Sequence, residues 1–405
     1  MFVETVLLEG HILDSHTLSK ILDHILKQGG RYELMELSVG HRREDPTRAK
    51  LFLRTDSRER MNAVLTYIRE QGGLIPEPAN ALLKPAPEDG VFPHGFYSTT
   101  NLETWIQVAG EEIRVHGEAM DLGICVEPAI RVARSVPMDG VRKGELYVCG
   151  TDGIRIIPLR RTDASGKDAF GFMQSEVSAE KPRQLAIRQV AAALRECHAQ
   201  GGRNLLVLGP AVVHSGAMDA VSRVLETGVF DLLFGGNAVA AHDIEWALFG
   251  TSLGVDIQSG QPVPAGHRNH LRAINSIRAS GGIRQAVEDG SIRRGIMYTA
   301  VRKGIDFLLA GSIRDDGPLP EVITDILEAK KTMRSMLEGV GVAVMVATAL
   351  HSIATGNMLP ARVRTFCVDI HPGTVTKLMD RGSSQTVPIV MDCESFFHEL
   401  EEHLP

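Results

Sequence analysis

The chain of 405 residues is poor in cysteine, has no surplus of positive charge and contains no long apolar run. Its five cysteines, Cys125, Cys149, Cys197, Cys367 and Cys393, stand far apart, show no CxxC or CxxH spacing and are odd in number. That pattern excludes a closed disulfide framework and points to a reducing cytoplasm. The formal net charge is -7 with both signs interspersed, so no broad positive field exists to attract nucleic acid or anionic lipid, and neither is expected as a partner. No apolar stretch approaches the roughly 18 residues that span a bilayer, and the opening residues lack the basic, apolar, small-residue order of a leader. Export and membrane insertion are therefore not expected. GxGxxG is missing, which removes the standard dinucleotide fingerprint, and no nucleophile elbow is expected. What remains is small-molecule chemistry, in a chain long enough for two or three domains and with 43% hydrophobic residues to fill their cores.

The texture changes along the chain. Residues 1–75 read as a small βαββα module: a strand near Thr5 to Leu8, a helix with Leu18, Ile21, Leu22, Ile25 and Leu26 on one face, strands near 32–39 and 50–54, and a helix over 58–70 that runs into Gly72-Gly73. The stretch 76–93, with Pro76, Pro78, Pro85, Pro87 and Pro93, reads as an exposed linker. Residues 94–175 carry short alternating runs split by glycines, the mark of a small β-rich domain. From 176 to 405 apolar strands near 204–208, 230–234, 305–310, 342–346, 363–369 and 387–391 alternate with helical patterns. Continuous apolar strands separated by helices predict a doubly wound α/β domain on a mostly parallel six-stranded sheet, because each crossover returns the chain in the same direction.

In such a sheet ligands bind beyond the carboxyl ends of the strands. Small and polar residues collect there: Gly209 to Gly216, Gly235-Gly236-Asn237-Ala238, Gly311 to Gly317 with Arg314 and Asp316, Thr348-Ala349-Leu350-His351, Asp369, and Asp392-Cys393. Glycines admit a close backbone approach to phosphate, helix N-termini favour its charge, and an acidic strand end accepts ribose hydroxyls. Taken one at a time, these are also ordinary turn and cap residues. On the helix that follows Asn237, His242 and Glu245 share a face, as an internal hydrogen-bond pair or as two metal ligands without a third at a telling spacing, while Asp243 suits a cap. No metal is expected. Lys377, Asp380 and Arg381 form a further cluster that also fits a surface ion-pair face. The arginines 268, 272, 278, 284, 293 and 294 fit helix faces better than a nucleic-acid surface.

Longer motifs carry a resemblance. GPAVVHSGA, GGNAVAAHDIEWALFGTSLGVD, AGSIRDDGPLP, LHSIATGNMLP, CVDIHP and VTKLMDRGSSQ resemble the archaeal-type, NAD-containing ornithine cyclodeaminases, and ETVLLEGHILDS with VGHRREDPTRA is similar to the region named after lysine-ketoglutarate reductase/saccharopine dehydrogenase. Members resemble the C-terminal half of cyanobacterial arginine dihydrolases; no counterpart of the hydrolase domain is expected, and arginine hydrolysis is not implied. Carried over position by position, the resemblance implies an NAD site at Asn237, Ala238, Asp316, Thr348, Ala349, Leu350, His351, Asp369, Asp392 and Cys393. Where the family pattern has Val-Gly after the last aspartate, this chain has Cys393-Glu394.

The resemblance implies a small amino-acid substrate, L-ornithine, that loses ammonia and closes to L-proline, with NAD as the recycled carrier. Proton transfer is expected from His242, Asp243 and Lys377, and carboxylate binding from Arg314. A homo-oligomer is expected. An NAD-dependent amino-acid dehydrogenase and a non-catalytic NAD and amino-acid sensor are the alternatives.

Overall fold

The computed structural model describes residues 2–10, 12–13, 17–39, 47–71, 73, 80–157, 183–315, 317–380 and 386–405. The chain divides into two compact units, residues 1–174 and 175–405. The breaks expected after 75 and around 175 fall in or beside 74–79 and 158–182, outside the described residues.

The first unit opens with β1 (Phe2–Gly10), α1 (Thr17–Lys27), β2 (Arg31–Ser38), β3 (Thr47–Thr55) and α2 (Arg58–Glu70). The strands form an antiparallel sheet in the order β1-β3-β2. Alternate β1 and β3 residues, Val6, Leu8, Leu51 and Leu53, meet Ile21 and Ile25 of α1 and Val64 and Ile68 of α2 in one core, as a half-buried sheet under amphipathic helices requires. Then come β4 (Leu82–Pro85), β5 (Glu103–Val108), β6 (Glu111–His116), β7 (Gly123–Glu127), β8 (Val132–Val136), β9 (Leu146–Cys149) and β10 (Ile154–Ile157) in a sheet ordered β10-β5-β6-β8-β7-β9-β4. The expected linker is overturned over 82–93, where β4 pairs with β9 and Ala86, Phe92 and Pro93 are buried. Proline does not prevent this, because β4 is an edge strand and Pro85 ends it.

The second unit begins with α3 (Arg183–Ala199), β11 (Arg203–Leu208), α4 (Ala211–His214), α5 (Met218–Glu226), β12 (Leu232–Gly236) and α6 (Asn237–Phe249). A two-stranded ribbon follows, β13 (Thr251–Ser252) and β14 (Val255–Asp256), then α7 (Asn269–Ser280), α8 (Ile283–Glu288), α9 (Ile296–Lys303), β15 (Asp306–Ala310), β16 (Val322–Ile323) and α10 (Ile326–Met336). The unit finishes with β17 (Val340–Val346), α11 (Ala349–Met358), β18 (Arg364–Asp369), α12 (Pro372–Asp380), β19 (Thr386–Val390) and α13 (Cys393–Glu401). Its sheet is parallel throughout, in the order β16-β15-β12-β11-β17-β18-β19. The six expected strands are all present, and the seventh is the two-residue β16.

Both faces of this sheet are buried, which explains the near-continuous apolar strands. Leu205, Val207, Phe234, Ala343 and Met345 face Met333, Met358 and Val375 of α10, α11 and α12. The intervening residues Leu206, Leu233 and Val344 are equally buried beneath the layer in which α5 packs on α9 and α13, and α13 on α3.

The order reverses between β11 and β17: the chain leaving β11 goes on to β12, and that leaving β17 goes on to β18. Such a switch point opens a crevice at the carboxyl edge. The two strand ends nearly touch, because the Gly209 N–H donates to the Val346 carbonyl at 3.0 Å and a Cβ on Gly209 would overlap the Ala347 carbonyl oxygen. Ala347 itself takes a left-handed φ of 53°, a strained conformation for a residue with a side chain. Gly209→Ala is expected to force these ends apart and to destabilise the protein by about 1–3 kcal/mol, read from the midpoint of urea unfolding; an unchanged midpoint would show that the strand ends have room to spare.

Candidate active site

At the crevice α6 and α11 start without a side-chain cap. Both α6, preceded by Gly236, and α11, preceded by Thr348, lack a capping hydrogen bond, whereas Asp325 and Asp392 cap α10 and α13. The first N–H groups of α6 and α11 are thus open to an anion. The His351 ring, in the first turn of α11, rests against the end of β12: a Cβ on Gly236 would lie 2.8 Å from His351 Cε1. A side chain there would push the two N-termini apart. Burial pushes the His351 imidazole below its ordinary value, so it stands neutral beside them.

Asn237 opens α6 and is buried; its Oδ1 accepts the Leu319 N–H at 3.0 Å, which pins the segment after β15 to the helix. Ala238 and Thr348 are half-buried, Ala349 is exposed, and Leu350 is 73% exposed. At the end of β18 the Asp369 Oδ1 accepts the His371 N–H at 2.8 Å, and its second oxygen suits a ribose hydroxyl. Asp392 Oδ1 accepts the Ser395 N–H at 2.8 Å, and the Cys393 thiol lies 3.1 Å from the Ser215 hydroxyl. Burial raises the Cys393 thiol above its usual range, which keeps it protonated and able to share that contact. Asp316 lies outside the described residues.

The arrangement fits a dinucleotide. Glycines occupy the two close approaches, uncapped N–H groups face one edge, and carboxylates stand at the β18 and β19 ends.

Behind Asn237 the helix α6 is buried on nearly every side, and it carries a polar network. Glu245 is fully buried, and the His242 Nδ1 lies 2.9 Å from its Oε2. The same oxygen accepts the Leu253 N–H at 3.2 Å; Oε1 accepts the Thr251 hydroxyl at 2.9 Å and the Gly254 N–H at 3.0 Å. Asn269 Nδ2 donates to the Thr251 hydroxyl oxygen at 3.0 Å. Burial alone would raise the Glu245 carboxyl, but bonds from His242, Gly254 and Thr251 outweigh it and hold it below the usual range. The His214 ring meets that of His242 edge-on at 4.9 Å and its Nδ1 lies 2.8 Å from the Ser252 hydroxyl; the His270 ring is tilted to that of His242 at 6.0 Å. Burial, with His242 next, lowers the His214 imidazole.

Sequence reasoning paired His242 with Glu245 but missed His214, Thr251, Ser252, Asn269 and His270. The nearest signal was His214 itself, which stands in the glycine-flanked run after β11. The turn holding His214 and Ser215 joins the parts, since one residue meets His242 and the next meets Cys393. The possible metal pair gains no third ligand. Among the described residues no group of three His, Cys, Asp or Glu side chains is placed to hold a metal ion.

Asp243, expected in proton transfer, is engaged by backbone donors. Its oxygens accept the Ile296 and Met297 N–H groups, each at 2.8 Å, and so cap α9 across the fold. A Cβ on Gly295 would stand 2.8 Å from Asp243 Oδ1, so glycine is what admits the carboxylate. Burial pushes this acid up to about 7 against the pull of those two bonds. With both oxygens committed and 1% exposure, it is an anchor. Arg314 is exposed on the loop after β15, and Lys377 is exposed on α12; no hydrogen bond or ion pair ties either side chain to the histidines among the described residues. The basic run is held by aromatic faces, with Arg294 over Trp246 at 4.3 Å, Arg272 over Phe249 at 4.9 Å and Arg284 over Phe307 at 4.9 Å.

Comparison with known proteins gives matches along the whole chain. Residues 188–400 match the family described as arginine dihydrolase ArgZ-like, C-terminal, Rossmann fold; residues 103–187 match the first region of the same C-terminal part; residues 3–102 match the LOR/SDH bifunctional enzyme conserved region. A protein of Methanothermobacter thermautotrophicus named ornithine cyclodeaminase is 47% identical over 99% of this chain and 98% of its own length. The apo structure of the cyanobacterial arginine dihydrolase ArgZ superposes with a TM-score of 0.86 at 34% identity, over 100% of this chain and 58% of that one. AgrE of Nostoc, named a bifunctional arginine dihydrolase/ornithine cyclodeaminase, has a solved ternary complex with ornithine and NAD+ that aligns with a TM-score of 0.53 at 37% identity, over 100% of this chain and 57% of that one. The resemblance read from the motifs is borne out.

Asp243→Ala leaves two N–H groups unpaired in a dry site and is expected to lower stability by about 2–4 kcal/mol in urea unfolding. Stability equal to that of the unsubstituted protein would remove the anchoring role.

Proposed function

The chain belongs to the ArgZ-like C-terminal family, and from that membership we propose that it is an ornithine cyclodeaminase, forming L-proline and ammonia from L-ornithine with NAD held at the carboxyl edge of the parallel sheet. The observation that carries this reading is the 47% identity, over nearly the full length of both chains, to a protein of that name. The crevice chemistry supports it. The N-termini of α6 and α11 would hold the cofactor's phosphates, Asp369 would hold a ribose, and the neighbourhood of Asn237, Asp392 and Cys393 would hold the remainder.

When bound, NAD supplies reversible removal of hydrogen from the substrate's α-carbon. The chain's own residues must handle protons and orientation. Both amino groups of ornithine arrive as ammonium at neutral pH. The δ-nitrogen has to lose a proton before it bonds to the α-carbon, and the departing α-nitrogen has to regain one to leave as ammonia. We assign the transfer to His242 Nε2, since Nδ1 is already engaged by Glu245. His214, neutral and edge-on, completes the wall beside it. Arg314 is assigned to the substrate carboxylate, because the segment it stands on is tethered to α6 through Asn237 and Leu319. Lys377, on α12 after Asp369, is the cation that can approach from the β18 side.

The reaction is redox-neutral, with one hydrogen leaving and returning to the same carbon. Ornithine deuterated at the α-carbon is expected to give proline that keeps the deuterium in ordinary water without added NADH, read by mass spectrometry. Unlabelled proline would overturn the mechanism, and label recovered in free NADH with a keto acid would make the protein a dehydrogenase.

A further inference from the structure

Glu245 is a carboxylate without solvent access, and each of its oxygens takes two donors. Two of the donors are the N–H groups of Leu253 and Gly254, at the tip of the β13–β14 ribbon. Both residues have left-handed φ, 53° and 74°, the pairing that a two-residue ribbon turn with right-handed twist demands. Leu253 carries a side chain in that conformation and is 58% exposed, so its own packing does not explain the strain. The carboxylate behind it does, since the turn aims both N–H groups at Glu245.

The fourth donor is the imidazole of His242. An anionic acceptor on Nδ1 holds the ring's proton there and leaves Nε2 with its lone pair, and it stabilises the imidazolium once Nε2 takes up a proton. The other groups facing this ring do not compete for that task. His214 of α4 is kept toward its neutral form by burial and by His242, His270 of α7 stands farther off, and the carboxylate of Asp243 is spent on the start of α9.

We propose that Glu245 is a positioning residue for the reaction: it fixes His242 in the tautomer with a free Nε2, so that this nitrogen takes a proton from a substrate ammonium group and returns it to the departing ammonia. The inference rests on the ornithine reading above for its substrate, and on the geometry of Glu245 for the rest. Proton balance is closed, because the proton lifted from one substrate nitrogen leaves on the other and the histidine ends as it began.

Glu245→Gln in the full-length, NAD-loaded protein tests it. Glutamine keeps one acceptor oxygen; in the orientation that still accepts from Thr251 and Gly254, its amide N–H2 faces the Leu253 N–H and His242, and His242 must then accept at Nδ1 and carry its proton on Nε2. The expected result is a fall in kcat of about 10²–10⁴-fold, with KM for ornithine within roughly threefold and bound NAD unchanged, and recovery of part of the activity in Glu245→Asp. A folded Glu245→Gln enzyme within roughly twofold of the original kcat would overturn the proposal. Nitrogen NMR of histidine-labelled, unsubstituted protein at about pH 8, above the usual imidazole range, decides the tautomer even if the variant does not fold: a proton on His242 Nδ1 supports the proposal, and a proton on Nε2 overturns it. Failure of the unsubstituted enzyme to make proline would count against the ornithine reading instead, with the tautomer still reporting on Glu245.

Discussion

A charge that cannot reach water has to be met by donors already in place, and the buried Glu245 carboxylate imposes that demand on four parts of the second unit at once. Helix α6 supplies the acid and His242, the ribbon supplies two backbone N–H groups and a hydroxyl, α7 supplies the amide that orients the hydroxyl, and α4 closes the space with His214. Leaving any of these donors out would strand a charge in a medium where its desolvation is worth several kcal/mol. The ribbon, which has only two short strands, therefore has a reason to exist that its own hydrogen bonds do not provide.

Aspartates show the complementary logic. Asp243, Asp325 and Asp392 each satisfy the first N–H groups of a helix, while α6 and α11 begin with glycine and with a threonine that makes no cap. At the switch point α6 and α11 keep their first donors unsatisfied beside each other. Gly236 under His351 and Gly209 against Ala347 keep that place narrow.

Much of this was legible in the sequence, for reasons that also explain the rest. The six long strands of the second sheet could be read because burial on both faces makes them continuous apolar runs ended by small or polar residues. Two-residue β16 carries no such signal, and β4 was hidden by prolines that an edge strand tolerates. Residues at the strand ends could be chosen on the geometry of parallel sheets alone. The histidine network could not, since His214, His242 and His270 come from three helices and nothing local to each marks the others. Asp243 and Glu245, two residues apart, point to opposite duties; a helix buried all round gives no polar face by which to tell them apart.

The close meeting of β11 and β17 also bears on how the protein is made. β11 is a central strand, yet one of its two neighbours, β17, begins only at Val340. A growing chain on the ribosome holds β11 with at least one bare edge through the synthesis of α4 to α10, and the Gly209 N–H has no Val346 carbonyl to meet until late. An exposed edge on an apolar strand invites pairing with other chains. The second unit thus depends on rapid, late closure of its own middle, and slow translation between residues 209 and 340 is the interval in which it is most open to aggregation and to the attention of chaperones.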